Sequence, residues 1–260
     1  MSMTVRSIYR YPVKGLSAEA LPRVALSAGE CVPHDRRFAI AHAATSFNPE
    51  KPEWLQKTHF FMLMRDEKLA QLRTRFDETT GSFTIERSGQ PALSARITEA
   101  DGRKSLERFF AEFLADRPGG LPKLVEAPGH AFADAKRKPN ATTDKYVSLI
   151  NLASVRDLER VVQAPVDPIR FRANVYFEGA PAWSELDWTG AELRMGEARL
   201  RVVSPITRCL ATTVNPTTAI RDIEIPRILQ KEFAHNCMGI YAEVAEGGEV
   251  AANDRLERPC

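Results

Sequence analysis

Val5-Arg6-Ser7-Ile8-Tyr9-Arg10-Tyr11-Pro12-Val13-Lys14-Gly15 alternates apolar and polar side chains as far as Tyr11, and then Pro12 and Gly15 stop the pattern. Such a run reads as a strand closed by a turn, because Pro removes a backbone donor and Gly tolerates dihedrals closed to other residues. The same rhythm recurs at residues 21–26, 37–41, 60–64, 70–76 and 82–87. The first 100 residues therefore read as a β-rich unit.

Residues 105–114 place Leu106, Phe109, Phe110, Phe113 and Leu114 near one face, which predicts an amphipathic helix ended by Pro118-Gly119-Gly120-Leu121-Pro122. A basic, turn-rich run, Lys136-Arg137-Lys138-Pro139-Asn140, leads into an apolar segment at 146–149 and a second helix within 148–161, with Asn151 or Ser154 near its start. The seam falls here, giving domains at 1–125 and 126–260. Further strands are predicted at 174–177, 192–195, 199–203 and 241–244, with Gly196-Glu197 as a hairpin turn and Gly247-Gly248 as another turn. Residues 223–234 read as a helix with Pro226 in its first turn. The fold class is mixed α+β, predominantly β.

The 260 residues are 43% hydrophobic and 27% charged, a composition that favours an ordered globular chain. Lys plus Arg number 36 against 34 Asp plus Glu, and a net charge of +2 predicts no nucleic-acid partner. Any anionic ligand must then be held by a local site. Cys31, Cys209, Cys237 and Cys260 have neither paired zinc spacing nor the density of a disulfide scaffold, which points to a reducing compartment. The start lacks a charged segment leading into an apolar core, and no run is long enough to span a bilayer. The expectation is a cytoplasmic protein with no stable membrane insertion.

Ser204-Pro205-Ile206-Thr207-Arg208-Cys209-Leu210-Ala211-Thr212-Thr213-Val214-Asn215-Pro216 sets a thiol beside a fixed positive charge. Positive charge lowers the cost of deprotonation, a thiolate is a metal ligand, and Thr207 or backbone groups would tune its sulfur. On the residues alone, a buried thiol in a β-rich core is the better explanation of Cys209, since free cysteine is often buried. Cys237 and Met238 lie too far along the chain to share this motif and read as core or loop residues, while His34 and His235 are weak ligand candidates.

Tyr11-Pro12-Val13-Lys14-Gly15, Asp35-Arg36-Arg37-Phe38, Phe171-Arg172-Ala173-Asn174 and Thr207-Arg208-Cys209, in that order, resemble the MOSC family. The likeness is to the branch related to the mitochondrial amidoxime-reducing component and its bacterial relatives. It implies an N-terminal MOSC β-barrel domain packed with a C-terminal MOSC β-barrel and peripheral helices. It also implies a molybdenum cofactor (molybdopterin) held between the two portions, with Cys209 as metal ligand and catalytic residue. By motif, Lys14, Gly15 and Arg36 match the phosphate side of the cofactor, with Arg37 either joining them or ending a strand in solvent. Arg172 and Asn174 match a second cofactor-binding pattern, and Arg208 supplies positive potential beside the sulfur.

Three places depart from the family pattern. Gly15 stands where a Ser follows the Lys, Asn151 replaces another Ser, and Thr143-Asp144-Lys145-Tyr146 replaces a Ser-Pro-Phe-rich cofactor wall. Glu185-Leu186-Asp187-Trp188 resembles the family's acidic and aromatic segment, where Asp187 orients a basic contact or Trp188 packs a barrel face. The activity implied is reduction of a small N-oxygenated substrate. Its electrons come from a separate electron-transfer protein, since the chain has no iron-sulfur cysteine cluster and no Gly-rich nucleotide fingerprint. A sulfur-transfer or cofactor-carrier protein is the alternative within the family, and a noncatalytic binding module the alternative outside enzymology.

Overall fold

A computed structural model describes residues 3–134 and 145–258; the basic run 136–140, Thr143, Asp144 and Cys260 lie outside them. The elements in chain order are β1 (Met3–Arg10), β2 (Glu19–Leu21), β3 (Arg23–Leu26), β4 (Phe38–Ala41), β5 (Leu72–Asp77), β6 (Ser82–Arg87), β7 (Gln90–Arg96), α1 (Ala100–Phe113) and β8 (Lys123–Glu126). They continue with β9 (Val147–Asn151), α2 (Leu152–Val162), β10 (Val175–Glu178), β11 (Glu192–Met195), β12 (Ala198–Thr207), α3 (Ile225–Phe233), β13 (Cys237–Glu246), β14 (Gly248–Ala251) and β15 (Arg255–Glu257).

Seven strands close a barrel in the order β10-β9-β13-β12-β11-β15-β1, with β1 hydrogen-bonded back to β10 and β2 appended to β1. Closure removes the exposed edges an open sheet would present. The opening strand of the chain is thus a stave of a barrel otherwise built from residues 147–257. Its two-residue period does not run through: the register against β10 shifts between Val5 and Ser7. That irregularity changes the phase, so Val5 and Ile8, three apart, both enter the barrel core with Leu149, Phe177, Leu200, Ile240 and Leu256.

The middle of the chain forms two smaller sheets, β4-β8 and β5-β6-β7, and α1 lays Leu106 and Phe110 onto the second against Phe76, Phe83 and Ile85. The helix begins five residues before its predicted start, because its first turn carries only Ala100, Asp101, Gly102, Arg103 and Lys104, which no apolar period reveals. Gly102 is obligatory there, since a Cβ would come 2.0 Å from the Arg96 carbonyl oxygen. A third apolar cluster packs α2 and α3 outside the barrel through Val155, Leu158, Ile225 and Leu229.

Two strand expectations are corrected. Residues 21–26 are two strands parted by Pro22, with β2 pairing β1 and β3 pairing β14. Residues 60–64 are buried at Phe60 and Phe61 but are not a strand. They touch β4 through one bridge, Ala41 to Phe60, and then turn, because the Asp66 carboxylate accepts the Met62 N–H at 2.8 Å. The hairpin at Gly196-Glu197 and the helix led by Pro226 form where expected.

Candidate functional site

The quoted motifs converge because backbone hydrogen bonds zip them together. Lys14 N–H donates to the Phe38 carbonyl and Phe38 N–H to the Pro12 carbonyl, while Arg36 N–H reaches the Tyr11 carbonyl at 2.7 Å. The buried Asp35 carboxylate accepts the Tyr11 N–H at 2.8 Å and pairs with Arg36. Later in the chain, the single turn Pro168–Phe171 ends at Arg172, and β12 runs out at Thr207 into Arg208 and Cys209.

These segments surround a cavity of ≈ 470 Å³. Six bases line it, Lys14, Arg36, Lys57, Arg170, Arg172 and Arg208, against two carboxylates, Asp35 and Asp134. Such an imbalance in a partly desolvated space favours an anionic ligand. Arg36 and Arg172 both hold left-handed backbone, at φ 52° and 51°, a conformation costing on the order of 1–3 kcal/mol for a non-glycine residue. Their guanidinium carbons lie 4.8 and 4.4 Å from the centre of the buried Tyr11 ring, and Arg36 also donates to the Arg172 carbonyl at 2.8 Å.

The cations are not equivalent. Burial works against the charge on Arg36, but the Asp35 carboxylate outweighs it and holds the guanidinium more firmly protonated than usual. Burial pushes Arg172 down to about 10; Tyr11 opposes the shift and Arg36 adds to it. Arg172 donates to the Leu16 carbonyl at 2.7 Å and has no ion pair among the described residues. Burial also depresses Lys14, against the pull of its partner Asp134, and Lys14 donates to the Phe132 carbonyl at 2.9 Å. Burial raises Tyr11 to about 12.

Arg208 lines the cavity, yet its nitrogens are spent on the Phe171 and Met238 carbonyls. It contributes charge and a brace between β13 and the 168–171 turn rather than free donors. Cys209 is a free, half-buried thiol on the cavity wall. Its carbonyl accepts the Thr212 N–H and Oγ–H, which fixes the turn Leu210–Thr213 that follows it. Thr207 sits opposite Cys237, with its Oγ1 4.0 Å from the Cys237 sulfur.

Gly15 also lines the cavity, where its φ of 85° and the Phe61 oxygen, 3.2 Å from where a Cβ would sit, disfavour any residue with a side chain. Asn174 reaches the wall with its amide already used, accepting from Ser148 and donating to the Tyr9 carbonyl. Asn151 is brought elsewhere, which corrects its place among the cofactor contacts. It caps α2 by accepting the Ala153 N–H, and donates to the Pro181 carbonyl and Glu185. Trp188 packs on Phe177 in the barrel while Asp187 is exposed.

Several contributors carried no signal in the sequence, Lys57 and Asp134 on the cavity wall among them. Tyr11 and Asp35 stood inside quoted motifs, but nothing local showed the one as a platform and the other as a counter-charge. Arg170, two positions before Arg172, pairs with Asp222 and donates to the Thr213 carbonyl. Arg221 bonds the Leu210 carbonyl, Thr213 Oγ1 and, across the seam, the Leu63 and Met64 carbonyls. A lone arginine in a turn carries no such signal.

Residues 2–116 match the MOSC N-terminal beta barrel domain and residues 129–257 the MOSC domain. The chain belongs to the MOSC family. Among curated relatives, a molybdenum cofactor sulfurase of Drosophila mojavensis is 29% identical over 199 residues, 72% of this chain and 25% of that one. The human mitochondrial amidoxime-reducing component 1 is 27% identical over 145 residues, 52% of this chain and 42% of that one. This MOSC chain therefore spans less than half the length of either relative. Among solved structures, the YUAD protein of Bacillus subtilis superposes with a TM-score of 0.44 at 12% identity, covering 98% of this chain and 94% of that one.

Among the described residues, no group of three or more His, Cys, Asp or Glu is arranged to hold a metal, and no helix is long and apolar enough to cross a membrane. A thiolate can ligate a metal, and cations can neutralise an anionic organic group that carries one. The residues present fit such a group: one free thiol lines the cavity, and Arg172 beside it carries a half-buried positive charge that an anionic tail would neutralise.

Proposed function

We propose that this MOSC chain holds a molybdenum cofactor through Cys209 and reduces small N-oxygenated compounds with electrons from a separate electron-transfer protein. The observation that carries the reading is one cavity shared by the free Cys209 thiol, the buried Lys14 and the half-buried Arg36 and Arg172. When bound, the cofactor would supply the redox chemistry at the N–O bond. Cys209 would anchor it through its sulfur, with Arg208 next in the chain. Arg172 and Lys14 would neutralise its phosphate, while Arg36, tied to Asp35, keeps both arginines against the Tyr11 ring. In the overall reaction the N–O bond breaks, two electrons and two protons are taken up, and an amine and water leave. Free thiols at Cys31, Cys209 and Cys237 suit the reducing cytoplasm proposed as its setting.

Molybdenum and pterin analysis of protein from a cofactor-competent host, beside Cys209→Ala, tests the assignment. Loss of molybdenum with the circular dichroism spectrum unchanged is expected. Equal molybdenum in both proteins would remove Cys209 from the metal. Likeness to a molybdenum cofactor sulfurase over 72% of the chain favours a second reading, sulfur transfer at the same thiol. Trapping of a Cys209 persulfide without turnover of a hydroxylamine would select it.

A further inference from the structure

A smaller cavity of ≈ 230 Å³ adjoins the first, and Gly15, Leu63, Arg170, Arg172 and Ala211 border both. The remaining walls come from both sides of the seam. Leu16 and Ala70 face Ile169, Val214 and Pro216 across it. The polar groups at its rim are largely engaged by nearby backbone: Asp167 accepts the Ile169 N–H, and Arg73 donates to the Ala70 and Pro216 carbonyls.

The two cavities therefore differ in chemistry. The first is ringed by cations, whereas the second offers mainly hydrocarbon. An apolar cavity of about 150 Å³ holds a benzene molecule, so the second has room for one ring and a substituent. Arg170 and Arg172 stand where the two cavities meet, so an anion is held at that junction, while deeper in the second cavity Leu16, Ile169 and Val214 would strip its hydration without replacing it. Ala211 sits in the turn that begins at Cys209, so the apolar space abuts the segment bearing the thiol.

We propose that the second cavity is the subsite for the organic group of the substrate, and that it selects an aryl or compact apolar substituent on the N-hydroxylated nitrogen. This rests on the reductase reading above. For phenylhydroxylamine the N–O bond breaks, an N–H bond forms, and aniline and water leave after uptake of two electrons and two protons. In the assay reduced methyl viologen supplies the electrons, each molecule giving one.

The test compares phenylhydroxylamine with hydroxylamine, which has the same N–O bond and no organic group, using cofactor-loaded full-length protein. Wild type should prefer the phenyl compound in kcat/KM by at least about tenfold, the scale on which apolar pockets discriminate. Ala70→Phe, which projects a ring from the wall of the cavity, should abolish that preference chiefly by raising KM, and leave hydroxylamine turnover in place. Ala18→Leu narrows the same space from another segment and carries the test if the Phe variant does not fold. A preference that survives in a folded variant, or a parallel fall for both compounds, overturns the subsite. If wild type reduces neither compound, the reductase reading fails separately. Saturation-transfer NMR of phenylhydroxylamine then decides the subsite: ring signals transferred by wild type and lost in the folded filling variant support it, and no transfer from wild type overturns it.

Discussion

Asp35→Asn isolates the interaction that gathers the cationic site. Asp35 is buried, accepts the Tyr11 N–H at 2.8 Å and pairs with Arg36, whose side chain is only 18% exposed. The amide retains an acceptor for Tyr11, so the loss reports the missing charge. Arg36 would keep the Arg172 carbonyl and the Tyr11 ring, but its charge would be stranded beside Arg172 and Lys14. Breaking a buried pair from one side costs about 3–5 kcal/mol. For a chain of this size each kcal/mol shifts Tm by roughly 2–4 °C, so Tm should fall by about 6–20 °C. Adding Arg36→Leu removes the stranded charge and should recover part of the loss, which makes the pair non-additive. Denaturant melts of the four proteins in the cycle measure this. A loss below about 1 kcal/mol for Asp35→Asn, or no recovery in the double variant, would refute the reasoning.

Gly15→Ala should cost about 2 kcal/mol or more, because an L side chain at φ 85° is strained and its Cβ meets the Phe61 oxygen and Leu69 Cδ1, both at 3.2 Å; denaturant melts measure it. His130 concerns pH. Burial among Phe47 and Phe132, with Lys145 adding to it, lowers the ring's pKa below 6.5. The unfolded ring binds a proton near pH 6.5 while the folded ring resists it, so stability falls as pH drops through 6.5 toward the lower folded value. His130→Phe should flatten that part of the pH–stability curve, and an unchanged slope would count against the assignment.

The barrel staves were largely legible because burying one face imposes a pattern, as at β11 and β12, whose hairpin follows from Gly196-Glu197. The strand β7 was not, since Gln90–Arg96 has no fully buried residue: it pairs with β6 and lays only the partly buried Leu93 and Ala95 against the core beneath α1. Barrel closure through β1 was also hidden: it joins residues more than 160 apart, and a local period does not encode its partner. At the site, seven residues singled out in the sequence line one cavity, namely Lys14, Gly15, Arg36, Arg172, Asn174, Arg208 and Cys209. Their roles were less legible than their location. Asn174 and Arg208 present groups already bound to backbone, and Asn151 is spent on a helix cap.

What separates the remaining cations is the company each keeps. Arg36 has Asp35, Lys14 has Asp134, and Arg170 has Asp222, so an incoming anion must compete with an acid already in place. Arg172 has no ion pair among the described residues; it rests on the Leu16 carbonyl and the Tyr11 ring, and Asp35 and Asp134 act on it only at a distance. Burial and the neighbouring Arg36 both make its charge costly, and a negative group would relieve that cost without breaking an ion pair. The lowered affinity of Arg172 for its proton and its capacity to hold an anion thus have one physical origin. Arg172 thus stands half-buried, with no ion pair among the described residues and in a left-handed backbone conformation, on the wall that also carries the free thiol.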